Sequence, residues 1–261
     1  MPIADVNGIK LHYRFDGPQR GEVIMFSNSL ASDLTMWDSQ IPRLSHAGYR
    51  ILRYDNRGHG RSSVPFGPYT IEMLTSDVVG LMDHLGLKQV HFCGLSLGGM
   101  VGQMLGTLKG MRLISLILCD TSSYIEQREI WDERIALVRK VGMERLVYAT
   151  IDRWFTKAGQ KRLKTKVEDT RQVILNTPID GYCGCGLAIR DMDLREIIKG
   201  ISVRTLIIVG EQDQGTPVSA AEFIHGKIGS SVLKVIPNAA HFVNVEQADI
   251  FNNTLLEFLC G

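Results

Sequence analysis

The stretch Gly94-Leu95-Ser96-Leu97-Gly98-Gly99 decides the fold of this chain. It follows an apolar run, Gln89–Cys93, that predicts a strand, and it leads into Leu97–Leu108, which predicts a helix rich in small residues. Between a strand and a helix, the pattern Gly-x-Ser-x-Gly predicts a sharp turn that strains the backbone of its serine and lifts the hydroxyl above the sheet edge. Ser96 is therefore the candidate nucleophile. The alternative is a glycine-rich turn whose serine only caps the helix.

Short apolar runs alternate with helical patterns along most of the chain. Further strands are predicted at Ile9–Tyr13, Val23–Ser27, Tyr49–Tyr54, Leu113–Cys119, Thr205–Val209 and Val232–Ile236. Further helices are predicted at Trp37–Ala47, Ile71–Leu85, Ser219–Ile228 and Glu246–Leu259. This alternation predicts an α/β fold with a mostly parallel central sheet, helices on both faces and right-handed crossovers.

Residues 121–200 depart from this alternation. Their apolar side chains recur at helical spacing, as at Trp131 and Ile135, and no strand-like run appears among them. We therefore predict a helical lid, residues 121–200, inserted into a core that is formed by residues 1–120 and 201–261. An insertion at this point would lie over the carboxyl edge of the sheet.

A serine nucleophile needs a base, and the base needs an acid to orient it. His241 lies in the loop after the last predicted strand, at the same sheet edge as Ser96. Its rival is His59, in a glycine-rich loop at that edge, where the surroundings suit a tight turn instead. Asp213 follows another predicted strand and is the candidate acid, with Glu211 as its competitor and helix capping as its alternative role. The resulting order, serine then aspartate then histidine, is that of a nucleophile-elbow hydrolase.

Two backbone N–H groups are expected to stabilise an oxyanion. The Leu97 N–H lies at a helix N-terminus and points toward the space above Ser96. The second donor is expected from the loop that follows the strand Val23–Ser27, and we favour the Ser29 N–H. A backbone donor places no demand on the side chain at that position.

The composition excludes several classes of protein. The chain has 261 residues, of which 44% are hydrophobic and 22% are charged, which excludes a disordered chain. A formal net charge of +1 provides no bulk positive field for nucleic acid. No apolar run approaches the roughly 18–20 residues of a membrane span. We therefore expect a small-molecule partner, with neither nucleic acid nor a membrane involved, and the oligomeric state stays open, a homo-oligomer included.

The N-terminus and the cysteines indicate the compartment. The first eight residues lack the basic and apolar blocks of a signal peptide. Five cysteines are an odd count, and reduced thiols in a cytoplasmic protein explain them most simply. Cys183-Gly184-Cys185 lacks a second pair of ligands for zinc, so no metal is expected.

Over essentially its full length the chain resembles the α/β-hydrolase superfamily. Asp55-x-Arg57-Gly58-x-Gly60-x-Ser62 is similar to the family's loop after the fourth strand, whose glycines and internal contacts are structural. Ser27-Asn28-Ser29-Leu30 stands where many relatives carry His-Gly, and it is followed by Asp33-Leu34-Thr35-Met36-Trp37-Asp38. Together with the segment 181–193, these residues resemble the 3-oxoadipate enol-lactonases.

The resemblance implies a function as well as a fold. It implies hydrolysis of a small carboxylated enol-lactone in bacterial aromatic catabolism, through an acyl-enzyme and without a metal or organic cofactor. By the family pattern Ser96, Asp213 and His241 match the catalytic triad. Ser29 and Leu97 match the oxyanion hole.

A substrate with a free carboxylate needs a cation in its pocket. Arg190 is the first candidate and Arg134 the second, although a lone lid arginine can instead be solvated or paired with a nearby aspartate. Trp131 and Trp154 fall on helical stripes of the lid, where they serve either as its core or as substrate contacts.

Two other functions remain open from the sequence. A carboxylesterase or lactonase for a more apolar substrate would share every motif outside the lid. A receptor-like hydrolase would bind a ligand with little turnover, which the intact triad disfavours. The serine at position 96 argues against an epoxide hydrolase or a dehalogenase, for which an aspartate would be expected there.

Overall fold

The structure is a computed structural model that describes residues 2–261. Within these residues the central sheet has eight strands, in the order β1-β2-β4-β3-β5-β6-β7-β8. The strands are β1 Ile3–Val6, β2 Ile9–Asp16, β3 Val23–Ser27, β4 Arg50–Tyr54, β5 Val90–Leu95, β6 Leu113–Cys119, β7 Thr205–Gly210 and β8 Ser231–Ile236. Strands β3 to β8 pair in parallel, whereas β1 and β2 are antiparallel to their neighbours. The predicted α/β class with a mostly parallel sheet is confirmed.

The helices of the core surround this sheet. They are α1 Ile41–His46, α2 Ile71–His84, α3 Leu97–Lys109, α9 Val218–Lys227, α10 Val243–Glu246 and α11 Ala248–Cys260. The continuous burial of β3, β5 and of nearly all of β6 explains their apolar runs, because a parallel strand is covered on both faces. Helix α3 packs against these three strands and so fixes the turn that precedes it.

Five helices lie between β6 and β7. They are α4 Arg128–Val141, α5 Glu144–Trp154, α6 Lys157–Arg162, α7 Lys164–Leu175 and α8 Ile179–Asp191. We call residues 121–200, which contain them, the insertion. No helix within residues 2–261 is long and apolar enough to cross a membrane.

One strand was missed, and two predicted helices were wrong in detail. Strand β1 was missed because it has only four residues, two of them exposed, at the edge of the sheet. The predicted helix Trp37–Ala47 is divided into a 3-10 turn, Leu34–Trp37, and α1. The last predicted helix starts earlier, at Val243, and is interrupted between α10 and α11.

Candidate active site

Ser96 lies at the turn between β5 and α3, in a strained backbone conformation. Its φ of 56° and ψ of −112° are rare for a residue with a side chain. Its N–H donates to the Cys119 carbonyl at 2.9 Å, and its own carbonyl accepts from Met100 N at 3.0 Å and Thr121 Oγ1 at 2.8 Å. The Ser96 side chain makes no capping hydrogen bond to the helix, which argues against the capping alternative.

The glycines around Ser96 are required by close approaches of the backbone. A Cβ on Gly94 would lie 2.1 Å from the Gly98 carbonyl oxygen, and one on Gly98 would lie 2.2 Å from the Ser27 carbonyl oxygen. Both distances are far inside van der Waals contact. The strand can therefore turn into the helix at Ser96 only because these two positions carry no side chain.

His241 and Asp213 form a buried hydrogen-bonded pair. His241 Nδ1 lies 2.8 Å from Asp213 Oδ2. The same carboxylate accepts from Gly215 N at 2.7 Å, Thr216 N at 3.1 Å and Thr216 Oγ1 at 2.7 Å. These donors come from the loop after β7 and hold the carboxylate in one orientation toward the loop after β8, which carries His241.

The charge of Asp213 is set by two opposing effects. Burial raises its pKa, but the positive charge available on His241 and the hydrogen bonds from His241 and Thr216 outweigh burial and lower it. Asp213 is therefore ionised and can only accept, so the proton of neutral His241 is on Nδ1. The other ring nitrogen is left free to act as a base, on an imidazole that lines the same cavity as Ser96.

His59 and Glu211, the alternatives to His241 and Asp213, have other contacts in the structure. His59 is fully buried, and burial lowers its pKa to about 4, so it is neutral. Its Nε2 accepts from Ala31 N at 3.0 Å, and its Nδ1 lies 3.2 Å from the Arg57 carbonyl. His59 thus supports the loop after β3. Glu211 is exposed and accepts from Asn238 N at 3.3 Å.

Of the two predicted oxyanion donors, Leu97 directly follows Ser96 in the chain and Ser29 lines the same cavity as Ser96. Leu97 is the first residue of α3, where backbone N–H groups have no partner within the helix. The Ser29 N–H donates to Met36 Sδ at 3.4 Å, and a thioether is a weak acceptor that an oxyanion would displace. Leu30 follows Ser29 and also lines the cavity, so its N–H is a further donor candidate that the sequence reasoning did not single out.

A cavity of about 630 Å³ connects these groups. Its floor is formed by the strand ends and their loops, including Ser29, Leu30, Ser96, Gly215 and His241. Its roof comes from the insertion, with Ile130, Trp131, Arg134, Arg153, Trp154 and Tyr182 among the lining residues. The volume suits a small organic molecule.

Trp131, Trp154 and Arg134, three of the predicted substrate contacts, line this cavity. Trp154 stacks on the ring of Phe242 at 4.1 Å, and its ring centroid lies 6.3 Å from that of His241. Trp154 therefore joins the insertion to the loop that carries His241. The Arg134 guanidinium lies over the ring of Trp131, and its Cζ is 4.5 Å from the centroid of that ring.

The structure does not place Arg190, the first candidate for carboxylate binding, among the residues lining this cavity. Its guanidinium is held by Asp132 at 2.6 Å and Asp191 at 2.8 Å. These two acids neutralise it outside the cavity, so this prediction is corrected. The sequence reasoning missed Arg153 and Tyr182, and the only available signal for Arg153 was its position next to Trp154 on an amphipathic helix.

Comparisons with known proteins show the family of this chain. Residues 22–248 match the family described as alpha/beta hydrolase fold. The chain is 36% identical over 247 residues to 3-oxoadipate enol-lactonase 2 of Acinetobacter baylyi, covering 95% of this chain and 92% of that protein. The crystal structure of the enol-lactonase from Burkholderia xenovorans LB400 is similar with a TM-score of 0.97 and 40% identity, covering 100% of both chains. A malate-bound thermophilic esterase from Thermogutta terrifontis gives a TM-score of 0.92 at 28% identity, over 99% of this chain and 97% of that one.

Proposed function

The chain belongs to the α/β-hydrolase fold family, and from this premise we propose that it opens a small carboxylated enol-lactone similar to 3-oxoadipate enol-lactone. The observation that carries the proposal is the pairing of His241 with ionised Asp213 on the cavity that also holds the strained Ser96. The similarity to two enol-lactonases, each covering nearly the whole chain, supports the choice of substrate. That the chain is an ester or lactone hydrolase follows from its family and its relatives.

In the proposed first step Ser96 attacks the lactone carbonyl. His241 takes the hydroxyl proton on Nε2, and Asp213 stabilises the imidazolium that forms. The carbonyl oxygen becomes an oxyanion that accepts from the Leu97 N–H and from the Ser29 or Leu30 N–H. One such donor is worth about 3–4 kcal/mol in the transition state.

Ring opening then releases the enolate, which takes the proton from His241 and becomes a ketone. An enolate is a better leaving group than an alkoxide, so this step is easier than for an ordinary ester. The ketone and the acyl group belong to one carbon chain, so no fragment departs at this stage and the whole product stays bound to Ser96 as an ester. Water, deprotonated by His241, then attacks the acyl carbon, breaks this ester bond and frees Ser96. The products are one keto diacid and the original enzyme, and no cofactor takes part.

Steady-state turnover of 3-oxoadipate enol-lactone beside a panel of 4-nitrophenyl esters tests this proposal. We expect fast lactone opening, well above the rate with any ester, and a loss of about 10⁴-fold or more in Ser96→Ala. Ser219→Ala is the matched control, since this serine also lines the cavity but lies outside the turn. Equal rates in wild type and Ser96→Ala would exclude Ser96 as the nucleophile.

The second candidate is an esterase that acts on a more apolar acyl group. The similarity to a solved esterase and the tryptophans in the cavity favour it. Ester turnover without lactone turnover, lost in Ser96→Ala, would keep the mechanism and replace the substrate. A single turnover that leaves a trapped adduct would instead favour the receptor-like alternative.

A further inference from the structure

Two arginines of the insertion reach the cavity without an acidic partner. Arg134 on α4 and Arg153 on α5 both line it, and neither forms an ion pair within residues 2–261. Arg134 stacks over Trp131, and an Arg153 N–H donates to Thr150 Oγ1 at a long 3.4 Å. Cations that are partly removed from water are usually paired, so this arrangement leaves room for an anion.

The electrostatics of this part of the cavity favour a negative ligand. Burial lowers the pKa of Arg153, and repulsion from Arg134 lowers it further. Burial raises the pKa of Tyr182 to about 12 despite the two nearby guanidinium groups, so its hydroxyl stays protonated and can donate. Among the described residues lining the cavity, the one acid is Glu126, which is exposed and accepts from the Tyr124 hydroxyl at 3.0 Å.

We propose that Arg134 and Arg153, with the Tyr182 hydroxyl, form a binding subsite for the free carboxylate of an acidic acyl substrate. This subsite rests on the proposed function, because it would hold the end of the substrate that Ser96 does not attack. A carboxylate between the two guanidinium groups relieves their repulsion and accepts charge-assisted hydrogen bonds from both. A neutral ester of the same length leaves both cations unpaired, which selects against it.

Two esters of equal length separate recognition of the carboxylate from catalysis. 4-Nitrophenyl pentanoate and the 4-nitrophenyl monoester of glutaric acid share a leaving group and differ in a terminal carboxylate. Arg134→Met and Arg153→Met should each raise KM for the glutarate ester by about 10- to 100-fold and change the kinetics of the pentanoate ester little. Arg190→Met, a matched control whose arginine pairs outside the cavity, should change neither. Equal effects on both esters would overturn the subsite.

Binding of glutarate itself is independent of turnover. We expect calorimetry to detect the binding of glutarate to the Ser96→Ala protein. Adding either Arg134→Met or Arg153→Met should weaken this binding about 10-fold or more, and adding both should abolish it. If wild type neither opens the lactone nor hydrolyses either ester, but glutarate binding still requires both arginines, the proposed function fails and the subsite stands. If glutarate does not bind, or binds as well after both arginines are replaced, the subsite is wrong whatever the enzyme hydrolyses.

Discussion

At the scale of single residues, the Asp213 carboxylate holds His241 in the tautomer that its proposed role as a base requires. Asp213→Asn keeps the size of the side chain but can place an amide N–H against Nδ1, which favours the wrong tautomer. We expect kcat to fall by about 10⁴-fold with little change in KM, as measured on the lactone or an ester. A variant that retains more than a tenth of the wild-type kcat would show that another group orients the histidine.

Asp213→Asn should also change how the stability of the fold depends on pH. The folded pKa of Asp213 lies below the ordinary value, so its ionised form stabilises the fold above about pH 4, and this contribution is lost as the pH falls through the lowered pKa. The difference in Tm between wild type and Asp213→Asn should therefore be widest near neutral pH. It should shrink in strong acid, where the wild-type carboxyl is also protonated.

The neighbouring carboxyl of Asp120 should have the opposite effect on the pH dependence of stability. Burial, with repulsion from Asp213, raises the pKa of Asp120 well above its usual value. Its Oδ1 accepts from Gly210 N at 2.8 Å, while Oδ2 is buried without a hydrogen-bond partner among the described residues. The proton that this carboxyl takes up on folding makes the fold lose stability as the pH rises above about 4, by up to about 1.4 kcal/mol per pH unit.

Asp120→Asn should remove this pH dependence because asparagine is neutral and keeps an acceptor for Gly210 N. We expect the Tm of the variant relative to wild type to increase between pH 4 and pH 8, as followed by thermal unfolding in matched buffers. A constant destabilisation across that range would mean that Asp120 is ionised in the folded protein.

At the scale of elements, the turn from β5 to α3 tolerates no side chain at Gly98. A Cβ there would meet the Ser27 carbonyl oxygen at 2.2 Å, so α3 would have to move away from β3. Gly98→Ala should cost about 1–3 kcal/mol in unfolding free energy, and it should lower kcat because Ser96 moves with the helix. Urea unfolding and ester turnover measure the two effects.

The matched control is Gly226→Ala, near the end of α9. No atom lies within 4 Å of a Cβ at Gly226, so this alanine should be tolerated or should stabilise the helix by up to about 1 kcal/mol. If both alanine variants behave alike, the close approach at Gly98 does not control the position of Ser96.

Sequence periodicity could predict the sheet and the grouping of Ser96, Asp213 and His241 at one edge, because both depend on local patterns and on one topological rule. Parallel strands expose their carboxyl ends at a common edge, so Ser96, Asp213 and His241 could be placed together before any distance was known. The acidic partners of the arginines in the insertion could not be predicted in this way. Helical periodicity identifies the apolar face of α8, but the pairing of Arg190 with Asp132 depends on how α8 packs against α4.

At the scale of the whole molecule, the buried carboxylate of Glu246 joins the insertion to the core. It accepts from Thr156 N at 3.0 Å in the insertion and from Ala240 N at 2.9 Å, next to His241. The Glu246 carbonyl also accepts from Arg162 Nη2 at 2.6 Å. Glu246 therefore ties the roof of the cavity to the loop that carries His241.

Removing this carboxylate should affect stability and catalysis together. Glu246→Ala leaves the Thr156 and Ala240 N–H groups without their charged acceptor, and each such hydrogen bond is worth about 1.5–3 kcal/mol. We expect a clear loss of unfolding free energy, a lower kcat because His241 is less well held, and a higher KM because the roof shifts. Glu222→Ala, an exposed glutamate on α9, is the control and should change none of these. If Glu246→Ala loses stability but keeps its kinetics, the insertion and the core hold their relative position through other contacts, such as the stacking of Trp154 on Phe242.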